Sequence, residues 1–175
     1  GWQWPVHEPL FASLAKARID VVGANISRDL ARRIVREGNP ALPPGLAATL
    51  TANPLSPSAE AALDADLLDN HCGQLPATRL PGMRLAQRAR DAAMAVGLTT
   101  LPERPAILVA GNGHVRGDYG VPALLARLRP GARIINIAFE EEGKATDAGT
   151  TYTHIWTTPA VHRDDPCKGF GQARP

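Results

Sequence analysis

The sequence predicts an α/β domain, a parallel or mixed β-sheet flanked by helices, and three observations carry that prediction. Ala106 to Ala110 is apolar at every residue, the pattern of a strand covered on both faces rather than of one helical stripe. Ile19 to Ala24 and Ala132 to Phe139 are two further short strand-like runs, and segments with helical spacing lie between the three. Strands that alternate with helices imply parallel neighbours joined by helical crossovers.

Pro5 to Arg18 reads as a helix, because Leu10, Phe11, Leu14 and Ala17 recur at helical spacing and a proline suits a first turn. After the strand at 19–24, Ser27 to Glu37 is a second helix. The Ser27 hydroxyl can accept from an orphaned amide at its start, and Gly38 ends it. Residues 39–57 form a proline-rich connection (ALPPG, ANPLSP), either a lid over the sheet or a segment with one short helix. Ser58 to Asn70 is a third helix with Ala61, Leu63, Ala65, Leu67 and Leu68 as its apolar content, and it delivers His71 to a helix C-terminus, where a cation is favoured. Thr78 to Val96 holds the longest helical signal, with Pro81 in its first turn. Pro105 to Gly111 is the central strand and Val121 to Leu128 a helix closed by Pro130-Gly131. Ala132 to Phe139 is the next strand, and Tyr152 to Thr157 alternates like an edge strand. The whole reads as a single domain over 1–175 with a C-terminal tail at 159–175.

A chain of 175 residues with 44% hydrophobic and 21% charged side chains can bury one real core. The net charge is +2 and the isoelectric point about 8.8, but Arg32, Arg33, Arg88 and Arg90 are scattered along helices, so the composition points to neither nucleic acid nor a membrane surface. No apolar run is long enough to cross a bilayer. Trp2 and Trp4 precede the first helix and need something to pack against, which is the expectation for a removed leader or a trimmed chain. Cys72 and Cys167 are the only cysteines and lack CxxC spacing, so a zinc knuckle is not expected. One long-range disulfide and two separate thiols both fit this composition.

The chemistry concentrates at residues 107–122, ILVAGNGHVRGDYGVP, where His114, Arg116, Asp118 and Tyr119 share one short loop. A loop that follows a buried strand lies at the carboxyl edge of the sheet, where open α/β folds bind ligands. Asn112-Gly113 supplies the turn, since both residues tolerate positive φ. On the long helix, Met83, Gln87, Asp91 and Met94 follow i, i+4, i+8 and i+11 and share one stripe. Gln87 and Asp91 are polar groups on an otherwise apolar stripe, so they need partners, and the His114 loop is the expected source.

Several chemistries are thinly represented. GNGH lacks the spacings of a P-loop or a dinucleotide fingerprint, no GxSxG elbow occurs, and His71 and Cys72, adjacent in sequence, point apart rather than pair. A divalent-metal site would need His71, His114, His154, Asp91 and Asp118 to converge. Haem is better served: a phenolate such as that of Tyr119 can ligate ferric iron, Arg and His donors can hold propionates, and methionines can pack a flat macrocycle.

The strings HCGQLP (71–76), MRLAQRARDAAMA (83–95), AGNGHVRGDYGVP (110–122) and DPC (165–167) resemble the ChaN-type haem-binding uptake proteins of the Tiki superfamily, and VVGANISRDLARRIVREG is similar to that family's strand-to-helix segment. The resemblance implies a bacterial haem- and iron-uptake protein, exported as a periplasmic or outer-membrane-anchored lipoprotein, dimeric, and working with haem-uptake receptor components. It implies a haem site of Tyr119, His114 and Arg116, with His71, Gln87 and Asp91 behind them, in which a tyrosine ligates the iron, Tyr119 as the motif residue, with help from His114. Tyr152 is the one other tyrosine. An exported setting also favours the Cys72 to Cys167 disulfide.

Two departures accompany the resemblance. The family's GExH-like segment does not occur here, so the chain looks like the C-terminal portion of a longer domain, and Gly117 stands where another basic residue is common. The alternative from the enzyme class is a metal-dependent hydrolase of the Tiki and erythromycin-esterase type, using the GxxH segment from Gly111 to His114. A third reading is a structural domain whose GNGH loop only braces the fold. The expectation adopted is a binding protein rather than an enzyme.

Overall fold

Ala86, Ala89, Ala92 and Ala95 recur every third residue along one helix and all are buried, which lets neighbouring helices approach it closely. In the computed structural model, which describes residues 4–101, 105–143 and 151–169, this helix is the centre of the architecture. The elements run α1 (Glu8–Lys16), α2 (Arg28–Glu37), α3 (Pro44–Ala52), α4 (Pro57–Asp69), α5 (Leu80–Thr100), α6 (Val121–Leu128), β1 (Ile137–Glu141) and β2 (His154–Thr158). Helices α2, α3, α4 and α6 all pack on α5. Their shared core holds Ile34, Leu50, Met94, Val121 and Leu124 around the alanine face, and a smaller cluster joins Ala59, Leu63 and Leu67 to Tyr119.

Local chemistry explains the helix ends. The Ser27 hydroxyl accepts from Leu30 N at 3.1 Å, and Gly38 leaves α2 with φ +71°, as the sequence predicts. Helix α4 starts one residue earlier than expected, because Ser56, not a residue inside the helix, accepts from Ala59 N at 3.2 Å and Pro57 fills the first position. The proline-rich connection resolves to its helical alternative: a short 3-10 turn at Asn39–Ala41 is followed by α3, whose Leu50 enters the core.

The sheet is where sequence and structure differ. The class is α/β but rich in helix, and among the described residues the sheet is a single parallel pair, β1 with β2, in the register Ile137 to His154 and Phe139 to Trp156. The segment at 105–111 is expected as a strand buried on both faces and that at 19–24 as a short buried strand; they join no ladder among the described residues. Leu108 and Ala110 pack on the core while Ile107 is 85% exposed and Val109 half exposed, the alternation of a strand covered on one side only. An apolar run can supply that alternation, but a strand also requires a hydrogen-bonded neighbour. Ile19, Val21 and Val22 are likewise exposed.

Cys72 and Cys167 form a disulfide across a sequence separation of 95 residues, tying the turn after α4 to the tail. Reduction, or the double change of both cysteines to serine, is expected to lower stability by about 2–4 kcal/mol. Denaturation with and without reductant measures this, and coincident curves would show that the tail adds nothing to the fold.

Gly82 marks the tightest crossing, since a Cβ there would overlap the Val35 carbonyl oxygen and lie 3.1 Å from its carbon. Gly82→Ala gains helix propensity of up to about 1 kcal/mol but overpacks the α2–α5 contact at a cost of about 1–3 kcal/mol. A lower urea midpoint is expected; an unchanged or higher one would mean that α2 lifts away from α5 freely.

Candidate functional site

Helix α5 places Gln87 and Asp91 one turn apart on the face that meets the loop after residue 111. A 3-10 turn at Asn112–His114 brings the histidine onto them. His114 Nδ1 donates to Asp91 Oδ1 at 2.6 Å, and the Gln87 amide nitrogen lies 3.1 Å from Nδ1 and 3.5 Å from Nε2. Asp91 is 2% exposed, whereas the His114 side chain keeps 18% of its surface open. Burial pushes the Asp91 carboxyl up to about 6, with the His114 hydrogen bond as the largest opposing influence.

The turn itself is built differently from expectation. Asn112 and Gly113 keep negative φ, so their tolerance of left-handed backbone is not what forms it. Asn112 acts through its side chain instead: Nδ2 donates to Phe139 O at 2.8 Å and Oδ1 accepts from Phe139 N at 3.4 Å, so the amide serves as a peptide-like neighbour to β1. Asn136 closes the other side, donating to Val115 O at 2.8 Å and to Thr151 O at 2.9 Å. Tyr152 donates its hydroxyl to Asn112 O at 3.3 Å. The loop returns sharply to α6 at Gly120, where a Cβ would stand 2.5 Å from His114 O and 2.8 Å from Arg116 O.

Arg116 and Tyr119 lie in a second cluster on the same loop. Arg116 pairs with Asp118 through Nε at 3.0 Å and Nη2 at 2.8 Å, reaches Asp66 Oδ2 at 3.1 Å, and stacks 4.7 Å over the Tyr119 ring. The Tyr119 hydroxyl donates to Asp66 Oδ2 at 2.5 Å, and the residue is 4% exposed. Burial first, and then the bond to Asp66, raise the Tyr119 phenol well above its ordinary range. Both influences favour the neutral hydroxyl, the opposite of what an iron-ligating phenolate needs. His71 donates through Nδ1 to Leu67 O at 2.7 Å, closing the C-terminal end of α4 beside the disulfide.

The structure thus brings Gln87, Asp91 and His114 together, as their spacing predicts, and ties Arg116 and Tyr119 to Asp66. Asp66 and Asn136 were not singled out from the sequence. Asp66 stands between Ala65 and Leu67 of α4 like any solvated carboxylate, and its pairings with Arg116 and Tyr119 span 50 and 53 residues of chain. Among the described residues no group of three or more His, Cys, Asp and Glu side chains converges as a metal cage.

The strand pair carries an apolar surface. Ile137, Phe139, His154 and Trp156 share the outward face of the β1–β2 pair, where the Phe139 and Trp156 rings stand 6.3 Å apart and each is more than 60% exposed. The Asn112 clamp on the Phe139 backbone fixes this face next to the His114 turn.

This loop and the helices behind it fall within the match to one family. A family model described as haem-binding uptake, Tiki superfamily, ChaN covers residues 1–125, from the start of the chain into α6 and including the whole His114 turn. The chain belongs to the Tiki superfamily and, within it, to the ChaN haem-binding uptake family. No curated protein and no solved structure matches it. Strands β1 and β2 lie beyond the matched residues.

The Asp91 carboxyl holds its proton more tightly in the fold than in the unfolded chain, whose ordinary value is about 3.9. Its contribution to stability is therefore fully present below about pH 4 and is lost as the pH rises to about 6. The stability advantage of wild type over Asp91→Asn should shrink across that window in urea titrations. An advantage that grows with pH would show that the His114 contact, not burial, dominates.

Proposed function

We propose that this chain binds haem at the face formed by His114 and the outward side of β1 and β2, as a component of bacterial haem and iron uptake. The observation that carries the reading is a partly open imidazole, held through Nδ1 by a buried carboxylate, on a turn whose Asn112 clamps the strand that bears an exposed aromatic surface. Such a histidine presents Nε2 as a donor, and Phe139 and Trp156 offer rings on which a flat macrocycle can stack. When bound, haem supplies an iron centre with open coordination positions; the protein supplies the donor and the apolar contact.

Of the two candidate iron ligands, His114 fits better than Tyr119. The tyrosine hydroxyl is buried and committed to Asp66, and Arg116, the expected propionate partner, is committed to Asp66 and Asp118. In this reading Arg116 and Tyr119 brace the loop from behind while Gln87 and Asp91 hold the imidazole. The Cys72–Cys167 disulfide fits an oxidising compartment and so favours export, to the periplasm or to an anchor at the outer membrane; a homodimer, and haem-uptake receptor components as partners, complete the reading.

Titrating the purified protein with ferric haem and following the absorption spectrum tests the reading. A shifted spectrum is expected, and one identical to free haem would overturn it. His114→Ala should weaken binding by more than the roughly 10- to 100-fold that loss of a ligand's hydrogen-bond partner costs. Tyr119→Phe should leave the spectrum unchanged and lower stability by about 1–2 kcal/mol through the lost bond to Asp66; a spectrum that changes with Tyr119→Phe instead would move the iron to that side of the loop.

A further inference from the structure

Asp91 makes one contact that the family assignment does not explain. Its Oδ1 is taken by His114, and its Oδ2 is buried without a hydrogen-bond partner among the described residues. A wholly buried carboxylate with one unpaired oxygen is costly, so its position calls for a compensating role.

We infer that Asp91 is a positioning residue that fixes the tautomer of His114, keeping the proton on Nδ1 and the lone pair on Nε2. An ionised carboxylate is an acceptor only, so at 2.6 Å it selects the imidazole form that carries a proton on Nδ1. Nε2 is then the free donor atom, and the charge behind the ring raises its basicity. The Gln87 amide nitrogen stands 3.1 Å from Nδ1 and 3.5 Å from Nε2; an Nδ1 whose proton is directed at Asp91 offers that amide no lone pair, and the contact to Nε2 is at the outer limit of hydrogen bonding. Asp91 therefore touches no ligand itself and acts through His114. The haem-binding reading enters only in what Nε2 meets.

The tautomer is read directly in the ligand-free protein by nitrogen NMR of 15N-labelled histidine, at a pH where His114 is neutral. A protonated Nδ1 and a bare Nε2 are expected for His114 in wild type. Asp91→Asn can turn its amide toward Nδ1 as a donor, so the form with the proton on Nε2 should become the majority while circular dichroism stays unchanged, which a merely structural residue would not produce. A wild-type ring already protonated on Nε2, or one whose tautomer ignores Asp91→Asn, would overturn the inference. Should that variant not fold, the wild-type tautomer decides alone. With ferric haem added, Asp91→Asn should weaken binding by roughly 10- to 100-fold and raise the reduction potential. If wild type takes up no haem, the functional reading fails while the NMR result on Asp91 still stands.

Discussion

The contact between Asp91 and His114 is the constraint around which the rest of the molecule is arranged. It joins the most buried helix to the one loop dense in ionisable groups, and both partners depend on features around them. The alanine face of α5 draws α2, α3, α4 and α6 close enough to exclude water from Asp91. Exclusion of water lowers the local dielectric and strengthens the remaining hydrogen bond, at the cost of making any unmet oxygen expensive. Gly120 allows the loop to fold back tightly enough for His114 to reach the helix at all.

The same loop divides its polar residues between two tasks. Its first turn offers His114 toward the surface, while Arg116 and Tyr119 lock onto Asp66 of α4 and Asp118 holds Arg116 in place. A guanidinium that pairs with two carboxylates and covers an aromatic ring leaves little charge for an outside ligand, and a buried phenol resists ionisation. Rigid support behind a partly open donor is the arrangement a binding site needs, because the donor's geometry is then set before the ligand arrives. The tyrosine and arginine that look like ligands in the sequence are, in the fold, the braces.

The apolar surface has a separate origin. Ile107 and Val109 alternate with core residues Leu108 and Ala110, and Phe139 and Trp156 point outward from a parallel pair. Each segment has strand-like periodicity with one face on the helices and the other exposed. The Asn112 side chain ties the turn that carries His114 to the strand that carries Phe139.

Sequence periodicity determined where most of the helices lie and how α2 is capped, because helical spacing, Ser27 and Gly38 act within a few residues of chain. It also determined that Gln87 and Asp91 share a stripe and require polar partners, since a helix fixes which side chains align. The family resemblance lay in contiguous strings and was legible for the same reason. Only the tertiary structure decided which partners those residues take. Whether 105–111 becomes a paired strand depends on a neighbour's backbone, which its own apolar run does not encode. Whether Tyr119 faces a ligand or Asp66 depends on a helix more than fifty residues away. Local pattern specifies what a side chain is able to do, and packing selects the partner with which it does it.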